Sequence, residues 1–321
     1  MRRPSSLAWI AWIKGVLLSM MLWPWLTGCL SFHQGPMPGE PKNATFASVD
    51  GVRVRYVDVG EGPAVVMVHG FASSLETWGA VIPELAKTHR VLALDLKGFG
   101  WTDRPEGDYS PPAQARLILR LMEQRGIDRA AVVGHSWGAS VVLAVALAAP
   151  RKVSRLALYD AWVYEEQLPP MFYWARADGV GETLFSLFYD QRVDEKVSLA
   201  FYDKSFVTEA LVEAAERAMN RPGTKAAALA AVRGQRFLDV QRRYRSIEQP
   251  VLVMWGREDA VTTLAVGERL AADLPRSRFV VYPRCGHFPM LEARAKSNAD
   301  LVAFLAEDAS PESAPSARPS P

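Results

Sequence analysis

Ala130-Ala131-Val132-Val133-Gly134-His135-Ser136-Trp137-Gly138 is the stretch on which the reading of this chain turns. The four apolar residues at its start read as a buried strand. Ala139 to Ala149, which follows it, is rich in helix formers. Ser136 therefore sits on a tight turn between strand and helix, with Gly134 and Gly138 letting the backbone double back. A G-x-S-x-G turn in that setting raises a serine hydroxyl on a nucleophile elbow. A hydroxyl is a weak nucleophile until a turn exposes it and a base activates it, so the elbow predicts a base and an acid elsewhere in the chain.

Both partners are present at strand exits. Pro250 to Gly256 reads as a buried strand, and Arg257-Glu258-Asp259 follows it. Arg278-Phe279-Val280-Val281-Tyr282 reads as another, with Cys285-Gly286-His287 on the loop beyond. Polar residues at the carboxyl ends of parallel strands converge on one edge of the sheet, where open α/β folds bind ligands. Asp160 follows a third strand, Val153 to Tyr159, and competes with Asp259 for the acid; loop context favours Asp259. His69 and His135 flank the site as loop-shaping hydrogen-bond partners. Asp95, after the strand 90–94, reads as a loop-ordering carboxylate.

From Phe46 to Leu305 the chain resembles the α/β-hydrolase superfamily. The resemblance rests on Val68-His69-Gly70-Phe71, Asp95-Leu96-Lys97-Gly98-Phe99-Gly100, the elbow, Trp255-Gly256-Arg257-Glu258-Asp259 and Gly286-His287, in that order. It implies an α/β fold with a mostly parallel central sheet, helices on both faces and an inserted helical cap. It implies Ser136 as nucleophile, His287 as base and Asp259 as acid, the order Ser, Asp, His being that of the superfamily. The oxyanion donors would be the backbone N–H of Trp137, after the nucleophile, and that of Phe71 on the loop after His69-Gly70.

The N-terminus reads as an address. Arg2, Arg3 and Lys14 precede an acid-free apolar stretch, 15–26, which ends in Leu26-Thr27-Gly28-Cys29. This resembles a bacterial lipoprotein signal, and implies lipidation at Cys29 and anchoring to the cell envelope through acyl chains. Leu30, rather than an aspartate, after the cysteine points to the outer membrane. Trimming there leaves 34 basic against 35 acidic side chains, so the +2 of the full sequence belongs to the signal. No basic face remains to suggest nucleic acid.

The expected organisation is a signal over 1–28, a tether over 29–44, a hydrolase core over 45–161 and 246–306, a helical cap over 162–245 and a disordered tail over 307–321. Asp50-Gly51 marks a hairpin. The cap segment carries Met171-Phe172-Tyr173-Trp174, Phe185, Phe188, Phe201 and Phe206, and sequence does not divide its own core from a pocket lining. With Cys29 acylated, Cys285 has no partner and reads as an inert packed thiol. The five histidines are scattered, no metal-ligand cluster is legible, and no cofactor is expected.

A serine triad suits acyl transfer to water. A small to medium hydrophobic ester is the most economical substrate, since an alkoxide leaves readily once protonated. Carbon–carbon bond hydrolysis of the meta-cleavage type is the alternative, because those enzymes resemble this sequence almost equally and share a triad and a helical cap. A non-catalytic ligand- or partner-binding lipoprotein on the same scaffold is the alternative from another class. Oligomeric state is not legible.

Overall fold

The computed structural model describes residues 30–307. Cys29, the preceding signal and 308–321 of the expected tail lie outside the described residues. The described chain holds one eight-stranded sheet in the order β1-β2-β4-β3-β5-β6-β7-β8. Strands β1 (Thr45–Val49) and β2 (Val52–Val59) form a hairpin. Asp50 and Gly51 take φ of 48° and 79° at its turn, the two positive values a type I′ turn requires. Strand β2 also pairs antiparallel with β4 (Arg90–Leu94). Strands β3 (Ala64–Val68), β5 (Ala130–His135), β6 (Val153–Tyr159), β7 (Val251–Gly256) and β8 (Ser277–Tyr282) run parallel to one another and to β4.

Strands β3 and β7 are apolar throughout, and β5 is apolar up to His135, because both faces of the sheet are covered there. Every residue of β5 and β7 is buried. Alternation along the strands divides the core in two. Val66, Val132, Leu156 and Val253 pack on one side, with α1 (Pro111–Gln124), α2 (Trp137–Ala148) and, later in the chain, Leu270. Val65, Val133, Ala157 and Leu252 pack on the other, with Leu85, Leu301 and Phe304. Helix α1 starts where Ser110 caps it, accepting the Ala113 N–H, and Pro111 fills its first position.

Between β6 and β7 the chain leaves the sheet and is helical: α3 (Pro170–Ala175), α4 (Val180–Phe188), α5 (Val193–Ala200), α6 (Glu209–Met219) and α7 (Thr224–Gly234). It also holds much of the exposed apolar surface, including Trp174, Leu187 and Phe188. Helix α8 (Leu264–Asp273) follows β7, and α9 (Arg294–Ala306) closes the described chain.

The segment read from sequence as an irregular tether is fastened to this body. His33 and Arg104 exchange backbone hydrogen bonds of 2.9 and 2.8 Å. Phe32 stacks on Tyr109, and Arg53 donates to Glu40 at 2.8 Å. Met37 is buried, with Arg104 Nη1 against its Sδ. Arg104 also donates to Thr224 at the start of α7, so one guanidinium joins segment, core and cap. The prolines and glycines of 35–41 set an extended path but do not make it free. Met37→Ala is expected to lower the stability of the folded chain by about 2 kcal/mol, the lower end for emptying a buried methionine site. Urea unfolding measures this; unchanged stability would mean that the segment does not pack in solution.

Candidate active site

The elbow is built as its composition demands. Ser136 has φ 51° and ψ −123°, a conformation that costs a non-glycine residue of order 1–3 kcal/mol. Its N–H donates to Tyr159 O at 2.9 Å, which holds the turn to β6. A Cβ at Gly138 would lie 2.3 Å from His69 O, and one at Gly134 2.6 Å from Gly138 O. The loop after β3 thus packs directly on the turn. Gly70 lies under Ser136, since a Cβ there would be 3.0 Å from the serine Cβ.

The loop after β8 brings His287 to the same edge. Its ring lies 4.7 Å, centroid to centroid, from that of His135, the residue before the serine. His287 N–H donates to Ala200 O at the end of α5, and His135 Nε2 lies 2.8 Å from the His287 carbonyl, to which it donates. His287 Nδ1 lies 2.7 Å from Asp259 Oδ2. A proton on Nδ1 leaves Nε2 as the free basic nitrogen. Among the described residues the Ser136 hydroxyl makes no side-chain hydrogen bond. In resting hydrolases that bond is often long and tightens only with substrate.

Asp259 is the better-held carboxylate. It accepts the N–H groups of Val261 and Thr262 at 2.7 and 3.0 Å, and the Thr262 hydroxyl at 2.6 Å, besides His287. Burial would raise its pKa, but His287 and the Thr262 donors outweigh that and hold it below the usual carboxylate range. Asp160 is also here, at the exit of β6. One oxygen from each aspartate and one His287 nitrogen all lie within 4.8 Å of each other. Burial and the neighbouring Asp259 push Asp160 well above the ordinary range. The same three residues have metal-ligand spacing, but the His287 nitrogen facing them is already hydrogen-bonded to Asp259. That geometry is of an acid–base pair, not a vacant coordination sphere.

Two backbone donors of this loop and turn are unpaired. Among the described residues the N–H groups of Phe71 and Trp137 have no acceptor. Trp137 opens α2, so its N–H is one that a helix cannot use. Phe71 stands between the Trp137 ring, 6.1 Å away, and the Phe172 ring of α3, 5.8 Å away. Phe172 in turn lies 6.3 Å from Trp162, whose N–H donates to Ser136 O. These ring contacts join the residue after the serine to the cap. Ser136 and His287 are only 7% and 5% exposed.

The flanking groups are loop-setting. His69 Nδ1 donates to Gly70 O while Nε2 accepts Leu96 N–H, which fixes its tautomer; burial holds its pKa down and keeps it neutral. His135 is held neutral by burial and by His287. Asp95 accepts the N–H groups of Leu75 and Trp101 at 2.7 and 2.8 Å, tying together the two loops beside the site. Cys285 is buried, and burial pushes its thiol up, away from reactivity. Sequence reasoning overlooked Thr262, although Asp259-x-x-Thr262 has the spacing of a carboxylate closing a turn on the backbone and hydroxyl three residues on. It also left Trp162 and Phe172 undistinguished among the cap aromatics.

The family model described as alpha/beta hydrolase fold matches residues 63–293. The chain is 30% identical over 267 residues to a 2-hydroxy-6-oxo-2,4-heptadienoate hydrolase of Pseudomonas putida, covering 75% of this chain and 88% of the relative. It is 28% identical over 271 residues to a 2-hydroxymuconate semialdehyde hydrolase of a Pseudomonas species, covering 80% and 92%. Among solved structures it is similar to the meta-cleavage product hydrolase CumD of Pseudomonas fluorescens, in a serine-to-alanine form with acetates. The TM-score is 0.70 at 28% identity, over 81% of this chain and 97% of that one. With the elbow, the sheet order and the paired acid and base all in place, the chain belongs to the alpha/beta hydrolase fold family.

Proposed function

We propose that this hydrolase cleaves small to medium hydrophobic esters through an acyl-enzyme. Ser136 attacks the carbonyl carbon as His287 Nε2 takes the hydroxyl proton. The carbonyl oxygen, now an anion, accepts hydrogen bonds from the Phe71 and Trp137 N–H groups. The tetrahedral centre collapses, the C–O bond breaks, and His287 returns its proton to the leaving alkoxide. Water then repeats the sequence on the acyl-serine with His287 again as base, releasing acid and free Ser136. Asp259 holds the imidazole tautomer and stabilises the imidazolium.

The observation that carries the ester reading is the run of ring contacts that joins Trp137, next to Ser136, through Phe71 and Phe172 to Trp162. It offers apolar area and no charge. The cap cations Arg176, Arg233 and Lys225 are engaged by Glu165, Glu182 and Asp190. The similarity to the two Pseudomonas enzymes favours the second reading, hydrolysis of a carbon–carbon bond beside a carbonyl, with the same serine and base.

The proposal includes an envelope anchor at Cys29. It is supported by Leu26-Thr27-Gly28-Cys29 after an acid-free apolar stretch. Leu30, the next residue, lines a cavity of about 520 Å³ with Glu182, Leu229 and Arg233 of the cap. An acylated Cys29 would therefore hold the enzyme to lipid by its cap side.

A panel of p-nitrophenyl esters run beside a ring-fission dienoate separates the two bond classes. Turnover of short and medium esters with little on the dienoate is expected; the reverse would make the carbon–carbon reading correct. Ser136→Ala is expected to abolish fluorophosphonate labelling and to lower kcat by at least about 10⁴-fold, and Asp259→Asn to lower kcat by about 10⁴-fold with the fold retained. A wild type that neither labels nor turns over would favour a binding protein. Cys29→Ser is expected to move the protein from the membrane fraction to the soluble one; continued membrane residence would refute the lipid anchor.

A further inference from the structure

We propose that Asp160 is a neutral carboxylic acid whose proton is donated in a hydrogen bond to Asp259, making it a positioning residue behind the Asp259–His287 pair. Its kinetic consequences rest on the hydrolase reading above; its protonation does not.

Asp160 is wholly buried and takes a left-handed φ of 43° where β6 ends. Its N–H donates to Met254 O at 3.0 Å, and its Oδ1 accepts the Gly256 N–H at 2.8 Å. These bonds fix the carboxyl against the end of β7. Its Oδ2 is buried without a donor to accept from. One Asp160 oxygen and one Asp259 oxygen lie within 4.8 Å of each other. Two carboxylates that close in a dry site cannot both be ionised, so one proton must lie between them.

The partner count decides which carboxyl carries it. Asp259 is met by four donors: two backbone N–H groups, the Thr262 hydroxyl and His287 Nδ1. Asp160 is met by one backbone N–H. Charge therefore settles on Asp259, and the proton on Asp160 gives its orphaned Oδ2 a bond to make. The surroundings agree. Besides Asp259 and His287, Asp160 faces Glu292 on the turn after His287, the Cys285 thiol, and the Tyr159 and Tyr282 hydroxyls. Burial first, then the Asp259 and Glu292 charges, drive Asp160 toward its neutral form, with only the Gly256 N–H opposing them.

A neutral Asp160 gives Asp259 a fifth donor from behind. That bond fixes the plane of the Asp259 carboxylate in which His287 Nδ1 binds, and it takes up part of the charge His287 feels. Asparagine can make the same two bonds, its carbonyl accepting from Gly256 and its amide donating to Asp259. Alanine can make neither.

The test uses Asp160→Asn and Asp160→Ala in the full chain, with p-nitrophenyl butyrate as substrate. Asp160→Asn is expected to keep kcat/KM within about threefold of wild type with the acid limb of its pH profile unmoved. Asp160→Ala is expected to lose about tenfold, the scale of one buried hydrogen bond, with that limb displaced to higher pH. An Asp160→Asn limb displaced to lower pH would reveal a lost negative charge, and a loss as deep as that of Asp259→Asn would make Asp160 the acid itself; either overturns the proposal. So does full activity in Asp160→Ala.

The second readout needs no turnover. An acid whose pKa is raised on folding contributes stability that is fully present below its unfolded value, near 4, and lost as pH rises toward its folded value. Wild type is expected to carry that loss in urea unfolding, up to about tenfold in the unfolding constant per pH unit for one proton, and Asp160→Asn to lack it. Equal pH slopes in the two proteins would overturn the proposal even if no ester is hydrolysed, an outcome that would count separately against the hydrolase reading.

Discussion

The site exists because the backbone at Ser136 turns where there is no room for side chains beneath it. Gly134 and Gly138 let β5 run into α2 with the loop after β3 pressed against the turn. The strain at Ser136 is offset by a hydrogen bond into the sheet and by the start of a helix. The same close approach sets the loop that carries Phe71 against the turn that carries Trp137. One steric constraint thus shapes both the turn and the loop beside it. A methyl group at either glycine would push against backbone carbonyls of the loop or of the helix itself, neither of which can yield cheaply.

Around that turn the molecule buries an unusual amount of charge and polarity, and handles each group differently. Asp95 is enclosed by Arg55 and by backbone donors from two loops. His69 and His135 are kept neutral by burial, which suits residues that shape loops beside a proton-transfer centre. Asp259 is given enough donors to hold its pKa below the usual carboxylate range against the cost of desolvation. A buried carboxylate that lost its donors would be a charge that water cannot reach, which ties together the loops carrying Asp259, Thr262 and His287.

The elbow and the strands were legible because their chemistry is local. Runs of Val, Leu and Ala ending in glycine or a polar residue announce parallel strands, and G-x-S-x-G announces the turn between two of them. The choice between Asp259 and Asp160 was less legible, since both follow strands. What separates them is the number of donors each meets, and Thr262, which supplies two of these for Asp259, is a neighbour only once the loop has folded. Residues 31–43 follow the irregular path that their prolines and glycines predict, but local sequence does not show that Met37 and Phe32 find their sites on residues far along the chain, Arg104 and Tyr109. The cap aromatics were opaque for the same reason. Phe172 faces Phe71 beside the serine while Phe185 stacks on Tyr189 inside the cap, and nothing local distinguishes the two phenylalanines.

The most direct measurement of the account is a crystal structure of the protein after reaction with a fluorophosphonate. The account predicts phosphorus bonded to Ser136 Oγ, its phosphoryl oxygen within hydrogen-bonding distance of both the Phe71 and Trp137 N–H groups, and His287 Nε2 on the leaving-group side with Nδ1 still on Asp259. An adduct on another residue, or a phosphoryl oxygen turned away from those two N–H groups, would contradict it.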